Sequence, residues 1–365
     1  MAAGEAIAMI ETLPALEAPE AWCASLEQAG AVFEAGAVVS YVDAVAELAE
    51  ARAAGVLADL SHFGLICVEG PEAQKFLGSL FTGEVKQVTP GQGQFTSWCD
   101  GKGRMLATFW LFIRGDAYYL LLPKTQMATT VARLKQFLLR TKAGISDASA
   151  NLVRLGLSGA ELGERLASIL GAALPVVRGE TVELGGCTFL SLPAAGQPRW
   201  LALGPADLMQ ALWGDTVKSA RPVGKAAWDL LDILAGVPML LPETSGEFIP
   251  QMLDLEALGG LSFKKGCYPG QEVVARLQYR GQLKRRMYSA SVAADSPPEP
   301  GTKLYGTGTS ESVGMVLSAA TQEPGRSAVL AVVVIEQRTA GGAIRVGSPE
   351  GPALEFADVE PLAGA

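Results

Sequence analysis

The sequence predicts an α+β fold that ends in a small β-barrel or sandwich. Three observations carry that prediction. Segments with helical spacing of apolar residues are mixed with strand-type stretches, without the strict βαβα rhythm of a doubly wound sheet. Residues 282–362 differ from everything before them. There, short strand-type segments (MYSASV, TKLYG, VGMVLSA, AVLAVVVI, AIRVG) stand between clusters of Gly, Pro and Ser. Finally, 365 residues, 49% hydrophobic and 18% charged, are enough for two or three domains with ample core.

The elements follow in order. Residues 1–22 are rich in Ala, Glu and Pro and read as a poorly ordered lead-in. They show no basic n-region, and Glu5 and Glu11 interrupt the apolar residues, so no signal peptide is expected. Residues 42–54 have helical spacing. Residues 64–69 (GLICVE) read as a strand, and Gly70-Pro71 starts a helix through Phe76 and Leu77. Residues 93–122 hold three strand-like stretches, two of them joined by a hairpin turn at Arg114-Gly115-Asp116. An amphipathic helix is predicted over 124–140, and strand and helix signals recur through 151–213. Residues 223–235 read as a helix stopped by Gly236 and Pro238, and 237–262 as irregular. The division expected is a lead-in over 1–30, two α+β subdomains over 31–240, a motif segment over 241–282 and the barrel over 283–365.

Composition excludes several functions. The longest apolar runs, near 105–113 and 328–335, fall far short of the roughly 20 residues of a membrane helix. The chain is therefore expected to be cytoplasmic and, in the same reading, a monomer. Its five cysteines (Cys23, Cys67, Cys99, Cys187, Cys267) include no C-x-x-C pair, so no local zinc or dithiol motif is encoded. The only histidine, His62, rules out any site that needs two from one chain, and reads as a polar residue near a strand start. A net charge of −9 argues against general DNA binding. Charge is uneven, however: Lys264, Lys265, Arg276, Arg280, Lys284, Arg285 and Arg286 face only Glu272, a local +6. Such a cluster is either a solvated face or a site for a polyanion.

The sharpest local feature lies inside that cluster, Phe263-Lys264-Lys265-Gly266-Cys267-Tyr268-Pro269-Gly270-Gln271-Glu272. Pro269 and Gly270 are turn residues, and the stretch from Gln271 has helical spacing, so Cys267 is expected just before a helix N-terminus. Unpaired N–H groups there, together with Lys264 and Lys265, would stabilise a thiolate, the reactive form of cysteine. Gly266 and Gly270 would let backbone approach a ligand closely. The competing reading is a structural cysteine in a tight turn.

The segment 263–276 (FKKGCYPGQEVVAR) resembles the K-G-C-Y-x-G-Q-E signature of the YgfZ group within the glycine-cleavage T-protein superfamily. The likeness runs back through Ser245–Gln251 and Ala257–Gly260, forward through Arg280-Gly281 and Lys284-Arg285, and includes WCDGKGR at 98–104 and the stretch from Leu65 to Leu77. It implies a T-protein-like architecture of three compact parts around a central folate cavity, with a C-terminal β-barrel. It implies tetrahydrofolate as cofactor, iron–sulfur client proteins and tRNA-thiomethylating enzymes as partners, and no DNA or membrane partner. It marks Cys267 as the working residue, with Lys265, Gly266, Tyr268, Gly270, Gln271, Glu272 and Arg276 around it, and Trp228 and Phe63 as the residues set against folate. Lys264, Arg280, Lys284, Arg285 and Arg286 would meet a polyanion, either a folate polyglutamate tail or tRNA.

Two departures from the superfamily pattern stand out. Where T-proteins carry an acidic pair that includes the catalytic Asp, this chain has Gly103-Arg104-Met105-Leu106-Ala107-Thr108. Where many members have a Glu that grips the pterin, it has Leu234. The resemblance therefore favours an accessory factor for iron–sulfur proteins. The alternatives are a folate-dependent aminomethyl transferase or demethylase, which the missing Asp disfavours, and a structural adaptor.

Overall fold

The computed structural model describes residues 19–357. The chain begins with α1 (Glu20–Gln28), a two-stranded ribbon of β1 (Val32–Glu34) and β2 (Ala37–Ser40), α2 (Ala44–Ala53), β3 (Val56–Asp59), β4 (Phe63–Glu69) and α3 (Ala73–Gly78). A meander of β5 (Gln94–Cys99), β6 (Met105–Arg114) and β7 (Ala117–Pro123) leads to α4 (Met127–Leu138) and β8 (Gly144–Asp147). Next come β9 (Val153–Ser158), α5 (Ala160–Leu170), β10 (Thr181–Leu184), β11 (Cys187–Leu192), β12 (Arg199–Gly204), α6 (Ala206–Thr216), β13 (Arg221–Val223) and α7 (Lys225–Leu234). After an irregular stretch, α8 (Gln271–Arg280) precedes β14 (Arg285–Ala293), β15 (Lys303–Gly306), β16 (Ser312–Glu323), β17 (Arg326–Val334), α9 (Ile335–Thr339), β18 (Ile344–Val346) and β19 (Leu354–Phe356).

The strands form three large sheets. The first has the order β5-β6-β7-β4-β8 and is antiparallel throughout. The second has the order β10-β11-β12-β9-β3-β13, with only β13 running parallel to its neighbour. The third, β18-β15-β16-β17-β14-β19, curls into a half-barrel. Its two edges approach through a bridge between Arg345 and Ala353. The mixture of helix and sheet and the C-terminal curl are those predicted from the segment pattern.

One extended core joins all three sheets. It includes Phe63 and Leu65 of β4, Trp110 and Phe112 of β6, Leu201 of β12, the buried face of α7, and Leu330 of β17. Alternation along β6 divides its side chains between two cores. Trp110 and Phe112 point to the central core, while Ala107, Phe109 and Leu111 point to a separate cluster with Phe76 of α3 and Leu134 of α4.

Local rules explain the main helices. Asp43 caps α2, its carboxylate accepting from the Val45 N–H at 2.9 Å. Helix α7 buries Ala227, Trp228, Leu230, Leu231 and Ile233, and the chain leaves it through Gly236 at φ +70°. The poorly ordered lead-in expected over 1–22 needs correction at its end. Residues 1–18 lie outside the described residues, but α1 starts at Glu20, and Trp22 is fully buried with its indole N–H on Asp59 Oδ1 at 2.8 Å. An aromatic side chain that finds both core and acceptor orders an otherwise weak helix. No helix among the described residues is long and apolar enough to cross a membrane.

Candidate functional site

Three stretches that are far apart in sequence meet around the N-terminus of α8. The first is the β5–β6 turn. Asp100 Oδ1 accepts from the N–H groups of Lys102 at 2.8 Å and Arg104 at 2.9 Å, which fixes the turn. The second is the segment from Ser245 to Gln251. It pairs with the start of β6 through Met105 N–H to Phe248 O at 2.8 Å and Gly246 N–H to Met105 O at 2.7 Å. Arg104 Nη1 donates to Glu247 O at 2.6 Å, and Gln251 Nε2 to Val274 O of α8 at 2.7 Å.

The third stretch is the cysteine motif. Gly270, the residue before α8, has φ +78°, and Gly103 in the β5–β6 turn has φ +75°. Their backbones touch: a Cβ at Gly270 would lie 2.3 Å from Gly103 N and 2.5 Å from Asp100 O. Both glycines are therefore required by conformation and by space. Gly266 has nothing within 4 Å of its Cβ position, so the fold itself places no demand on a glycine there.

The loop before Gly270 is fastened at its base and open at its tip. Thr82 Oγ1 donates to Gly260 O at 2.7 Å, and the Ser262 N–H donates to Thr82 O at 2.9 Å. Lys265 Nζ donates to Phe81 O and, at 2.9 Å, to Gly83 O, and lies 5.2 Å from the centre of the Tyr268 ring. Burial pushes the Lys265 amine down to about 8. The expectation that Lys265 serves as a free charge beside the thiol is thus corrected, because its ammonium is tied to two backbone carbonyls. Tyr268 is buried, its hydroxyl without a partner and raised by burial and by the nearby Cys99. Cys99 is itself buried, its thiol pushed up to about 12. Cys267, between these two anchors, is exposed, whereas Cys67, Cys99 and Cys187 are buried and Cys23 is partly so.

Around Cys267 the surface is basic. Lys264, Arg276, Arg280, Lys284 and Arg285 are exposed, beside Glu272 and a 73% exposed Tyr279. Gln271 is partly buried. Arg286 departs from the expectation of a polyanion contact: its Nε donates to both carboxylate oxygens of Asp254 at 3.0 and 3.1 Å, a pair that ties β14 to the irregular stretch.

The second candidate locus lies at α7. Trp228 is 1% exposed and packs against the backbone of Gly156, whose Cβ would lie 2.6 Å from the ring. The guanidinium of Arg199 sits 4.4 Å over the same ring. Phe63 is 5% exposed, with His62 against it at 4.7 Å between ring centres. The stacking expected on open Trp228 and Phe63 faces therefore needs correction, since core packing and Arg199 already cover them. Leu234, at the position where the resemblance leads one to look for a Glu, is 42% exposed.

What sequence reasoning missed here is a polar cluster on the same helix. Lys225, Asp229 and Asp232, spaced to share a face, stand beside His62 and Arg199. Lys225 pairs with Asp229, and Arg199 Nη2 with Asp232 at 2.5 Å. His62 Nε2 lies 3.7 Å from Asp229 Oδ1, and neither ring nitrogen has a hydrogen-bond partner. Burial, then Lys225 and Arg154, hold the imidazole well below its usual value, so it is neutral at pH 7. Burial raises the Asp229 carboxyl. The signal was present in the spacing of residues 225, 229 and 232 within the helix predicted over 223–235.

At the position of the T-protein acidic pair, Ala107 faces the outer cluster. Thr108 turns inward, where its hydroxyl donates to Pro238 O at 3.0 Å and accepts from the Leu240 N–H at 2.9 Å. Neither side chain has a titrating group suited to act as a general acid or base at neutral pH.

Known proteins give the following likenesses. The profile of the GCVT N-terminal domain family matches residues 25–258. The tRNA-modifying protein YgfZ of Cronobacter sakazakii is 32% identical over 319 residues, which is 86% of this chain and 94% of that one. Its namesake from Escherichia coli O157:H7 is 32% identical over 78% of this chain and 87% of that one. The one from Colwellia psychrerythraea is 33% identical over 66% of this chain and 73% of that one. Among solved structures, the glycine cleavage system aminomethyltransferase T from Bartonella henselae superposes with a TM-score of 0.75 at 18% identity, covering 95% of this chain and 98% of that one. That likeness shows the fold, which is T-protein-like.

Proposed function

As the chain belongs to the YgfZ family, a branch of the GCVT-domain proteins, we propose that it is a cytoplasmic, folate-binding accessory protein in tRNA modification that works through Cys267. The observation that carries this reading is the presentation of that thiol. Among five cysteines it is the exposed one, on a loop anchored by Lys265 on one side and by the Gly103–Gly270 contact on the other. A loop built this firmly around a solvent-facing nucleophile suits a reactive thiol better than a structural one. Its clients in this reading are iron–sulfur proteins, including tRNA-thiomethylating enzymes. The exposed Arg276, Arg280, Lys284 and Arg285 supply the surface for a polyanion.

Tetrahydrofolate is the cofactor this reading assigns, and the fit rests on His62. A pterin edge carries donors and acceptors that the buried imidazole of His62 and the Lys225-paired Asp229 carboxyl would satisfy. His62 and Asp229 would hold the ring, with Phe63 and Trp228 as the packed floor behind them. Folate would supply carriage of a one-carbon unit. The apolar Leu234 lowers affinity, by about 1–3 kcal/mol for each pterin polar group left without a partner. Titration with tetrahydrofolate, followed by calorimetry, tests the site. His62→Ala is expected to weaken binding about tenfold, as loss of roughly one good hydrogen bond implies. Unchanged affinity in that variant would remove folate from this locus.

A further inference from the structure

We propose that the cleft between Arg178, Gln94 and Gly259 is a binding site for a small monocarboxylate, separate from both loci above. The cleft has a volume of about 230 Å³ and lies where three stretches of chain converge. These are the start of β5, the Arg178-Gly179 segment ahead of β10, and Leu258-Gly259 ahead of the cysteine motif. It is built into the fold. The Gly93 N–H donates to Gly179 O at 2.7 Å. Gly179 has φ +81°, and a Cβ there would lie 2.5 Å from Gln92 Nε2 and 2.8 Å from Gly93 O.

The polar groups of the wall are half used. Arg178 Nη2 donates to Ala257 O at 2.7 Å, while Nη1, shielded from bulk water, has no partner. Gln94 Nε2 donates to Gly259 O at 2.7 Å, while Oε1 has no partner. Gln87 and Gln92 also line the cleft, Gln92 Nε2 donating to Gly93 O at 2.8 Å, and Phe95 and Trp110 form the apolar floor. No Asp or Glu lines the cleft, so one guanidinium stands there without a counter-charge. A guanidinium with unsatisfied N–H groups in a shielded site calls for an anionic acceptor. One positive charge balances a monoanion better than a phosphate dianion. The volume lies below the roughly 300–1,000 Å³ usual for drug-sized ligands, so the ligand is small. The floor suits an apolar body.

Benzoate is the probe, with the isosteric but neutral benzamide and inorganic phosphate as comparisons, each titrated into the whole chain at fixed ionic strength by calorimetry. Benzoate is expected to bind at least tenfold more tightly than benzamide or phosphate. Arg178→Gln is expected to lose at least tenfold in benzoate affinity, while Arg140→Gln, on an exposed side chain elsewhere, keeps it. Equal binding of benzoate and benzamide, equal binding of phosphate, or unchanged affinity in Arg178→Gln overturns the proposal. The ligand comparison uses the unaltered protein, so it decides the matter even where Arg178→Gln fails to fold.

Discussion

The cysteine motif and the α7 locus carry their chemistry in opposite ways. At the motif, backbone contacts between glycines and a partly buried lysine hold a loop whose cysteine side chain faces solvent. At α7, the aromatic residues assigned to ligand binding are themselves the packing, and the unsatisfied polar atoms sit beside them on His62, 3.7 Å from the Lys225-paired carboxylate of Asp229. A short, contiguous motif with its own glycines specifies its local geometry. A single aromatic residue specifies only that something large is packed there, which core and ligand satisfy equally well.

The comparison can be broken first at Trp228. Because its indole is buried against Gly156 and under Arg199, Trp228→Ala should cost about 3–5 kcal/mol in stability. Urea unfolding measures this, and a loss below about 1 kcal/mol would return Trp228 to the role of a ligand platform. At the motif, Gly270→Ala should cost about 2–4 kcal/mol, from the left-handed backbone and the contact with Gly103. Gly266→Ala, in open space, should change stability by no more than about 0.5 kcal/mol. Similar losses in the two variants would contradict the account of how the loop is held.

A smaller effect sharpens the role of Lys265. Its folded value of about 8 lies below the ordinary value of 10.5, so folding disfavours its ammonium. The destabilisation is fully present below about pH 8 and disappears as pH rises from there towards 10.5. Stability should therefore rise with pH across that window, and less steeply in Lys265→Met. An NMR titration of the ¹³C-methylated amines should show one lysine titrating near 8. If every lysine titrates above 10, Lys265 is not buried against the Phe81 and Gly83 carbonyls.

Much of the fold was legible because period and punctuation agreed. The 93–122 meander, the α7 stop at Gly236 and the C-terminal strands all follow from local rules. The lead-in was misread because its order comes from Trp22 reaching Asp59, a contact between distant residues. Similarly, Arg286 reads as one more basic residue in a cluster until Asp254 stands opposite it. Lys265 sits next to Lys264 in sequence, yet the first is anchored and the second exposed, which only the position of the Phe81–Gly83 carbonyls decides. The spacing of Lys225, Asp229 and Asp232 was legible on α7, but their meeting with His62 and Arg199, like the Arg178 cleft, was not, because each assembles from separate strands and loops.

The central claim is that Cys267 is displayed for chemistry and not for packing. The most direct measurement is complementation of a strain lacking its own homologue with each cysteine replaced singly by serine, alongside the melting temperature of each purified variant. Cys267→Ser should abolish rescue with a melting temperature within about 1 °C of the unaltered protein, since an exposed, nearly isosteric change leaves packing intact. Cys99→Ser, at a fully buried site, should lower the melting temperature instead. Full rescue by Cys267→Ser would show that the motif only supports the fold, and would contradict the account.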